Sequence, residues 1–217
     1  MLDLYRTKLC HIDQFIGNIR TLWLLDLSSN LLNAIPSSIG CLLNLTKLNL
    51  SDNNLTNLPH SIGCLKQLLI LYLEENALYC LPDTIGDITC LEYLSLQNNR
   101  LTYLPDSICG LTSLIDLNIE FNQLTYLPMN IGRLSNLIYL QSNNNLLRWL
   151  PESIGNLKCL EEFNASTNLI SRIPDSMTNL SSLTYLCLAV NPVVCNKVKR
   201  EKVRYQLRLL DLYLHVE

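Results

Sequence analysis

The sequence predicts an α/β solenoid, a right-handed horseshoe with a parallel β-sheet on its concave side and short turns or 3₁₀ helices on its convex side. Two observations predict this fold. A unit that begins with leucine recurs every 23 residues without an insertion, and each unit carries an asparagine at one fixed position. A repeat of this length indicates structural units stacked one on the next, with a core that continues from unit to unit.

Eight units share this spacing. Their first residues are Leu22, Leu45, Leu68, Leu91, Leu114, Leu137, Leu160 and Leu183. Their asparagines are Asn30, Asn53, Asn76, Asn99, Asn122, Asn145, Asn168 and Asn191. Seven of the eight prolines also share one position, namely Pro36, Pro59, Pro82, Pro105, Pro128, Pro151 and Pro174. This register excludes a set of unrelated helices that are merely rich in leucine.

The first residues of each unit predict a strand. In the unit that begins at Leu68, Leu71 and Leu73 alternate with Ile70 and Tyr72. Successive side chains of a strand point to opposite faces, so the leucines point inward and their neighbours point to the concave surface. Stacked units then pair their strands in parallel.

The remainder of each unit predicts a return turn. The amide of Asn76 can both donate and accept hydrogen bonds, so stacked asparagines should form a ladder where the chain leaves the strands. Pro82 fixes φ in the turn. We expect Thr84 to cap a short helical turn and Gly86 to end it with a positive φ.

The chain divides into three regions. We predict a degenerate N-terminal repeat over residues 1–21, eight 23-residue repeats over residues 22–195 with the last one partial, and a C-terminal amphipathic capping helix over residues 196–217. The first region is degenerate because Thr7 replaces the asparagine and Asp13 replaces the proline, as terminal repeats often do.

The capping helix is predicted from an apolar period of four, three and four residues. Val203, Leu207, Leu210 and Leu214 carry this period, and their face should cover the last repeat. At the other end, residues 2–4 should form a strand with an unpaired edge. We predict a monomer, with a dimer that pairs through this edge as the alternative.

The pattern LxxLxLxxNxL followed by LPxxIGxLxxL resembles the leucine-rich repeat family over residues 1 to about 195. It is closest in pattern to a subclass that includes Ras-group cytoplasmic scaffolds of animals, their intracellular relatives in plants, and bacterial proteins, some of them effectors. The resemblance implies binding of proteins through the concave sheet. It therefore implies a scaffold, either a cytoplasmic signalling adaptor or a bacterial effector.

Charge and cysteine usage indicate which kinds of partner and which cellular compartment to expect. The net charge of −3 does not indicate nucleic-acid binding, and no run of 18 apolar residues predicts a membrane span. The nine cysteines show neither CxxC spacing nor paired clusters at the ends, which favours reduced thiols. We expect a cytoplasmic location, or secretion into a host cytosol for an effector. The alternatives are a substrate-recognition module of a larger enzyme, such as a ubiquitin ligase, and an extracellular receptor ectodomain.

Catalytic and cofactor motifs are absent from the sequence. His11, His60 and His215 lie far apart along the solenoid, and no phosphate-binding loop, GxSxG or HExxH occurs. We expect no enzymatic activity, no cofactor and no bound metal.

The candidate site lies on the concave face, where side chains between the core leucines differ from unit to unit. Tyrosines there offer flat area with a hydroxyl group, as binding anchors often do, and acids surround them. The predicted partner-binding residues are Tyr72, Glu74, Tyr93, Gln97, Asp116, Asn118, Glu120, Tyr139, Gln141, Asn143 and Glu162. The acids favour a partner protein with a basic surface. The simpler explanation is a polar face that keeps the sheet hydrated.

Two further patterns lie off this face. Tyr103, Tyr126 and Trp149 share one position in three consecutive units, and we favour mutual packing on the flank over contact with a partner. Cys41 and Cys64 also share a position in neighbouring units, and we interpret them as free thiols rather than a disulfide.

Overall fold

The computed structural model describes residues 1–195, Val198, Glu201, Val203 and the backbone of Tyr213–His215. In this part of the chain, ten parallel strands form one sheet, and each strand lies beside the next one in chain order. The strands are β1 Leu2–Asp3, β2 Leu24–Asp26, β3 Lys47–Asn49, β4 Ile70–Tyr72, β5 Tyr93–Ser95, β6 Asp116–Asn118, β7 Tyr139–Gln141, β8 Glu162–Asn164, β9 Tyr185–Cys187 and β10 Tyr213–His215.

A 3₁₀ helix follows each of the strands β1 to β9 on the opposite side of the solenoid. The helices are η1 Gln14–Asn18, η2 Ser37–Cys41, η3 His60–Cys64, η4 Asp83–Asp87, η5 Asp106–Gly110, η6 Ile131–Arg133, η7 Glu152–Asn156, η8 Asp175–Asn179 and η9 Pro192–Val194. The predicted horseshoe solenoid, with a parallel sheet and convex 3₁₀ pieces, is therefore confirmed.

The core follows from the repeat register. Each strand from β2 to β9 pairs with its neighbour at a shift of 23 residues, so Leu25 lies beside Leu48 and Leu48 beside Leu71. These central residues are fully buried, whereas both neighbours in each strand remain at least partly exposed from β2 to β8. A continuous column of leucine, with Phe163 in β8, thus runs the length of the solenoid.

The asparagine ladder is present as predicted, and Asn122 shows its geometry. Its Nδ2 donates to the carbonyl oxygens of Leu96 at 2.9 Å and Ile119 at 3.2 Å. Its Oδ1 accepts the backbone N–H of Leu101 at 2.9 Å. One amide therefore binds its own repeat and the preceding one. Because an unpaired buried backbone group costs about 1–3 kcal/mol, the ladder makes each repeat depend on its neighbour.

The glycines do not serve the purpose that the sequence suggested. The structure contains no glycine with positive φ, so the expectation for Gly86 is wrong. A Cβ on Gly17 would instead lie 2.7 Å from the carbonyl oxygen of Ser38 in the next repeat, closer than real Cβ atoms come. At Gly86 the corresponding oxygen, of Ser107, is closer still. Glycine is required because successive 3₁₀ helices nearly touch through their backbones.

One repeat departs from this rule. Cys109 occupies the position of the glycine, and the helix of the next repeat, η6, begins at Ile131, with Met129 and Asn130 outside it. Asn130 has φ −103° and ψ 20°, unlike the extended prolines that precede the five-residue helices η2 to η5. We attribute the shortened helix to the Cβ of Cys109, which fills the space that the backbone near residue 130 would otherwise use.

The expected side-chain caps are also absent from the regular repeats. Proline precedes helices η2 to η5, and no side chain accepts a hydrogen bond from their first turns. Thr84 donates its hydroxyl to the carbonyl oxygen of His60 in the preceding repeat, at 2.6 Å, instead of capping its own helix. Among the 3₁₀ helices η1 to η9, only that of the degenerate first repeat is capped by an acid, where Asp13 accepts the N–H of Phe15.

Positive φ values occur at a different position, directly before each ladder asparagine. These residues have φ between 49° and 55°, and they are Ser29, Asp52, Glu75, Asn98, Phe121, Asn144, Thr167 and Val190. The left-handed conformation costs about 1–2 kcal/mol for a residue with a Cβ. Hydrogen bonds between repeats offset this cost, as where the N–H of Phe121 donates to the carbonyl of Asn143 at 3.1 Å.

The C-terminal region is only partly helical. Val198, Glu201 and Val203 are helical, and Val203 is buried in the core as its place in the apolar period predicted. Tyr213–His215 is instead a strand paired in parallel with β9, so the prediction of a helix over 196–217 is wrong at this segment. Pairing satisfies backbone groups that β9 would otherwise leave open. Leu207 and Leu210 lie outside the described residues.

Gly86→Ala should destabilise the protein by at least about 2 kcal/mol, because the added methyl group meets a backbone carbonyl that cannot move without separating two repeats. Urea unfolding monitored by circular dichroism measures this change. Asp87→Ala is the control, since Asp87 is exposed at the end of the same helix and should change stability by less than about 0.5 kcal/mol. Equal stability of the two variants would contradict close backbone stacking.

Candidate functional site

The predicted concave face exists as one continuous surface. Tyr93 pairs in register with Asp116, Asp116 with Tyr139, and Tyr139 with Glu162, so these four side chains form one column across β5 to β8. Tyr72, Asn118 and Gln141 lie in the parallel column formed by the last residue of each strand. None of these side chains points into the core, because the core position of each strand is the residue between the two columns.

The two columns differ in how much aromatic surface they expose. Tyr93 is 38% exposed and stands out from the sheet, whereas Tyr139 and Tyr72 are half-buried. The ammonium group of Lys47 lies 5.1 Å from the centre of the Tyr72 ring, within the range of a cation–π interaction. One face of Tyr72 is therefore already covered by a cation, and Tyr93 is the most exposed of the three rings.

Amide side chains next to the tyrosines are held in place by hydrogen bonds. Asn118 donates from Nδ2 to Oε1 of Gln97 at 2.9 Å and accepts the backbone N–H of Glu120 at 3.0 Å. Asn143 donates to a carboxylate oxygen of Glu120 at 3.2 Å. These contacts fix the orientation of Glu120 and Gln97 without a partner, which lowers the entropy lost on binding.

The structure places Asn143 below the surface. Its side chain is only 7% exposed, although we predicted it as a contact residue. Burial leaves it able to orient Glu120 but gives a partner little access. Glu74 is also partly buried, and one of its carboxylate oxygens accepts no hydrogen bond from the described residues.

Acids dominate the electrostatics of the face. Burial, followed by the negative charge of Glu162, raises the pKa of Asp116 above its usual range. Asp116 and Glu162 lie on either side of Tyr139 in consecutive strands, and Glu162 is exposed. A cationic group of a partner placed at Tyr139 would contact an aromatic ring between two carboxylates.

Two residues that the predicted site omitted belong to this surface. Lys47 contributes the cation over Tyr72, and no motif in the sequence signals that contact. Phe121 directly follows Glu120, is 49% exposed and has a φ of 49°. A large apolar side chain in the left-handed region is uncommon, and its repeat position could have been recognised from the sequence as the residue before the ladder asparagine.

Two features of the described residues concern metal binding and thiol reactivity. Among them, no group of three or more His, Cys, Asp or Glu side chains is arranged to hold a metal ion. Burial, with a smaller contribution from Asp106, raises the pKa of the Cys109 thiol to about 11. This thiol is therefore protonated at neutral pH and is a poor nucleophile. No helix within the described ranges has both the length and the apolar composition that a membrane-spanning segment requires.

A family model for the leucine-rich repeat region matches residues 1–97 and 91–205. The chain belongs to the leucine-rich repeat family. The family and its fold typically provide interaction modules rather than enzymes, which agrees with a scaffold that binds proteins. A search of curated proteins found no similar sequence.

Solved structures contain similar leucine-rich repeat chains. One is in the leucine-rich repeat ectodomain of the plant membrane receptor kinase GASSHO1/SCHENGEN3 from Arabidopsis thaliana, in complex with CASPARIAN STRIP INTEGRITY FACTOR 2. It is 31% identical with a TM-score of 0.66, over 83% of this chain and 26% of that chain. Another is in the Toll–Spatzle complex of Drosophila, 25% identical with a TM-score of 0.78, over 87% and 26%.

These two matches span only about a quarter of the longer chains. Both structures are complexes with another protein, which agrees with protein partners for this repeat family. The functional domain of InlJ from Listeria monocytogenes is 24% identical with a TM-score of 0.65, over 99% of this chain and 48% of that chain. At that identity the likeness concerns the fold alone.

Asp116→Asn should raise the melting temperature at neutral pH. The folded chain holds the Asp116 proton more tightly than the unfolded chain does, so ionisation of Asp116 destabilises the fold, and stability falls as the pH rises through its folded pKa. Below the usual pKa range of aspartate, the variant and the original chain should melt alike. Glu161→Gln, which removes a neighbouring exposed acid, is the control. A lower melting temperature for Asp116→Asn at pH 7 would contradict this assignment.

Proposed function

We propose that this chain is a non-enzymatic scaffold that binds another protein, one with a basic surface, on the concave face. The observation that carries the proposal is the column Tyr93, Asp116, Tyr139 and Glu162, where one exposed and one half-buried tyrosine alternate with carboxylates in consecutive strands. Tyrosine anchors supply much of the free energy of binding at protein interfaces. The carboxylates select for lysine or arginine and speed the encounter with them.

Few positive charges oppose this preference. Across the two outward columns of β2 to β9, Lys47 is the one cationic residue, and its ammonium group lies over Tyr72. The acids on or next to the same columns are Asp26, Glu74, Asp116, Glu120 and Glu162. A partner with a negative surface would face repulsion from acids in or just after four of the eight strands, β2, β4, β6 and β8, whereas a basic partner would not.

The parallel sheet also supports a large contact area. Its seven strands from β2 to β8 present two outward residues each, so one partner can touch several repeats at once. Gln97, Asn118 and Gln141 add hydrogen-bonding groups between the tyrosines. Because the side chains of Gln97 and Asn118 already form a hydrogen bond with each other, they should lose little conformational freedom when a partner binds.

A cytoplasmic setting is part of this proposal, as a signalling adaptor or a bacterial effector that acts in a host cytosol. All nine cysteines are unpaired, and six of them are exposed, which supports a reducing compartment. The chain could equally serve as the substrate-recognition module of a larger enzyme, such as a ubiquitin ligase. As such a module, the chain would bind its partner on the same concave face.

An extracellular receptor ectodomain is a second candidate, and one observation favours it. The plant chain that is 31% identical to this one is the ectodomain of a membrane receptor kinase. Titration of thiols in the denatured, unreduced protein separates the two settings. Nine reactive thiols in protein purified from its natural source support the cytoplasm, and fewer than nine support the extracellular candidate.

The double substitution Tyr93→Ala with Tyr139→Ala should abolish capture of the partner while changing the melting temperature little, because both rings lie outside the core. Loss of two aromatic anchors should weaken binding by at least about 100-fold. Affinity purification with quantitative mass spectrometry, from the natural source of the protein, measures the captured partner.

Tyr79→Ala is the matched control for this experiment. Tyr79 is 52% exposed but lies outside the strands, so its removal should leave capture unchanged. Capture should also weaken as the salt concentration rises, since screening reduces attraction between exposed charges. A partner that the double variant retains at the original level would place the binding site elsewhere.

A further inference from the structure

A second surface runs along the flank of the solenoid, outside the concave sheet. Two cavities of about 340 Å³ and about 370 Å³ lie at the same position in the repeat, three repeats apart. Each is bounded by residues that come 12 and 15 positions after the first leucine of their units. The same position recurs in the two repeats between them. We call the line of positions that joins the two cavities the flank groove.

One wall of the flank groove is aromatic at its centre. Tyr103, Tyr126 and Trp149 come 12 positions after the first leucine of three consecutive repeats, and they are 42%, 40% and 41% exposed. Tyr103 lines the smaller cavity and Trp149 lines the larger one. Mutual packing of these side chains on the flank does not cover them completely, because stacking in neighbouring repeats leaves about two-fifths of each side chain open to solvent.

The opposite wall is mostly acidic. Asp83, Asp106, Met129 and Glu152 come 15 positions after the first leucine of four consecutive repeats, and all four are exposed. The residue at this position in the repeat before them is His60. Placement in the first turn of a 3₁₀ helix explains acids at this position, because negative charge is favourable there. It does not explain why three consecutive aromatic residues face them.

The floor of the flank groove is apolar and rigid. It consists of leucine–proline pairs such as Leu81–Pro82 and Leu150–Pro151, which are buried at the base of the two cavities. Proline fixes the backbone torsion there, so the groove keeps its shape without an occupant. A preformed groove costs a ligand less free energy than one that must open.

Each residue of the aromatic wall comes 20 positions after the residue of the opposite wall that it is paired with. Tyr103 and Asp83 line the same cavity, and Trp149 and Met129 line the other. Tyr126 and Asp106 have the same offset in the repeat between them. Tyr103 with Asp83 and Tyr126 with Asp106 therefore each combine an aromatic ring with a carboxylate, and Trp149 with Met129 combines a ring with an apolar side chain. The charged residues Glu152, Arg172 and Asp175 border the same cavity as Trp149 and Met129.

We propose that the flank groove binds a segment of a partner protein that carries two basic residues followed by one bulky apolar residue. Each basic side chain lies between a tyrosine ring and an aspartate, where it gains both a cation–π interaction and an ion pair. The apolar side chain lies between Trp149 and Met129. Arg172 has the same position in its repeat as Trp149 has in the one before, and it lines the larger cavity. Its positive charge repels basic side chains, so the two basic residues of the segment lie toward the N-terminal repeats.

This site is separate from the one proposed on the concave sheet, since none of its wall residues belongs to a strand. The two sites are testable independently, because the substitutions that remove one leave the other intact. A partner long enough to occupy both would contact the inner face and the flank together.

A peptide array tests the proposal. The probes are nine-residue peptides of alanine and serine in which two lysines and one phenylalanine occupy every possible spacing. The intact chain, labelled with a fluorophore, is applied to the array, and the dissociation constant of the best peptide is then measured by fluorescence anisotropy. Peptides with glutamate in place of lysine serve as the negative probes.

The expected result is that Asp83→Asn with Asp106→Asn weakens the best peptide by at least about 10-fold. Trp149→Ala should weaken it by a similar factor. Asp87→Asn, which removes the same charge from the other end of helix η4, should not change binding. Tyr93→Ala on the concave sheet should not change it either.

Three results would overturn the proposal. The first is an array on which no lysine-containing peptide binds more strongly than its glutamate counterpart. The second is equal weakening by Asp87→Asn, which would indicate a general charge effect. The third is loss of binding in Tyr93→Ala alone, which would place the peptide on the concave sheet.

Discussion

The close and constant stacking of one repeat on the next is the constraint on which the rest of this structure depends. The ladder asparagine of each repeat bonds to the backbone of the repeat before it, as Asn122 does with Leu96 and Leu101. On the convex side, Gly86 allows the carbonyl of Ser107 to approach where a side chain would block it. Contacts after the strand and on the convex side therefore fix the position of one repeat on the next. Because this position is constant, the outward columns of the sheet stay in register.

How far the sequence predicts the fold depends on where the deciding contact lies. The strands, the buried leucines and the asparagine ladder are predictable, because their chemistry is visible within one 23-residue unit. The role of the glycines is not predictable from one unit, because their constraint comes from a carbonyl in the next repeat, 21 residues away. The C-terminal segment was misassigned because Leu214 fits the apolar period of a helix, while pairing with β9 decides its conformation.

The candidate site is also predictable only where the deciding feature lies within one repeat. Alternation within strands places Tyr72, Tyr93 and Tyr139 on the concave face without knowledge of the structure. It does not reveal that Lys47 covers Tyr72 or that Asn143 is buried beneath Glu120, because both contacts join different repeats. The flank groove has a signal in the sequence, the three aromatic residues at one repeat position, but its acidic wall becomes evident only where the cavities bring the two columns together.

Deletion of one whole repeat tests the stacking constraint most directly. Removal of residues 45–67 joins Asn44 to Leu68 and keeps every later residue at the same position in its unit. Circular dichroism and urea unfolding should then show a cooperatively folded protein with the same secondary structure. Removal of residues 46–67, one residue fewer, shifts the register of the strand at the junction and should abolish cooperative unfolding. Equal stability of the two deletions would contradict the account.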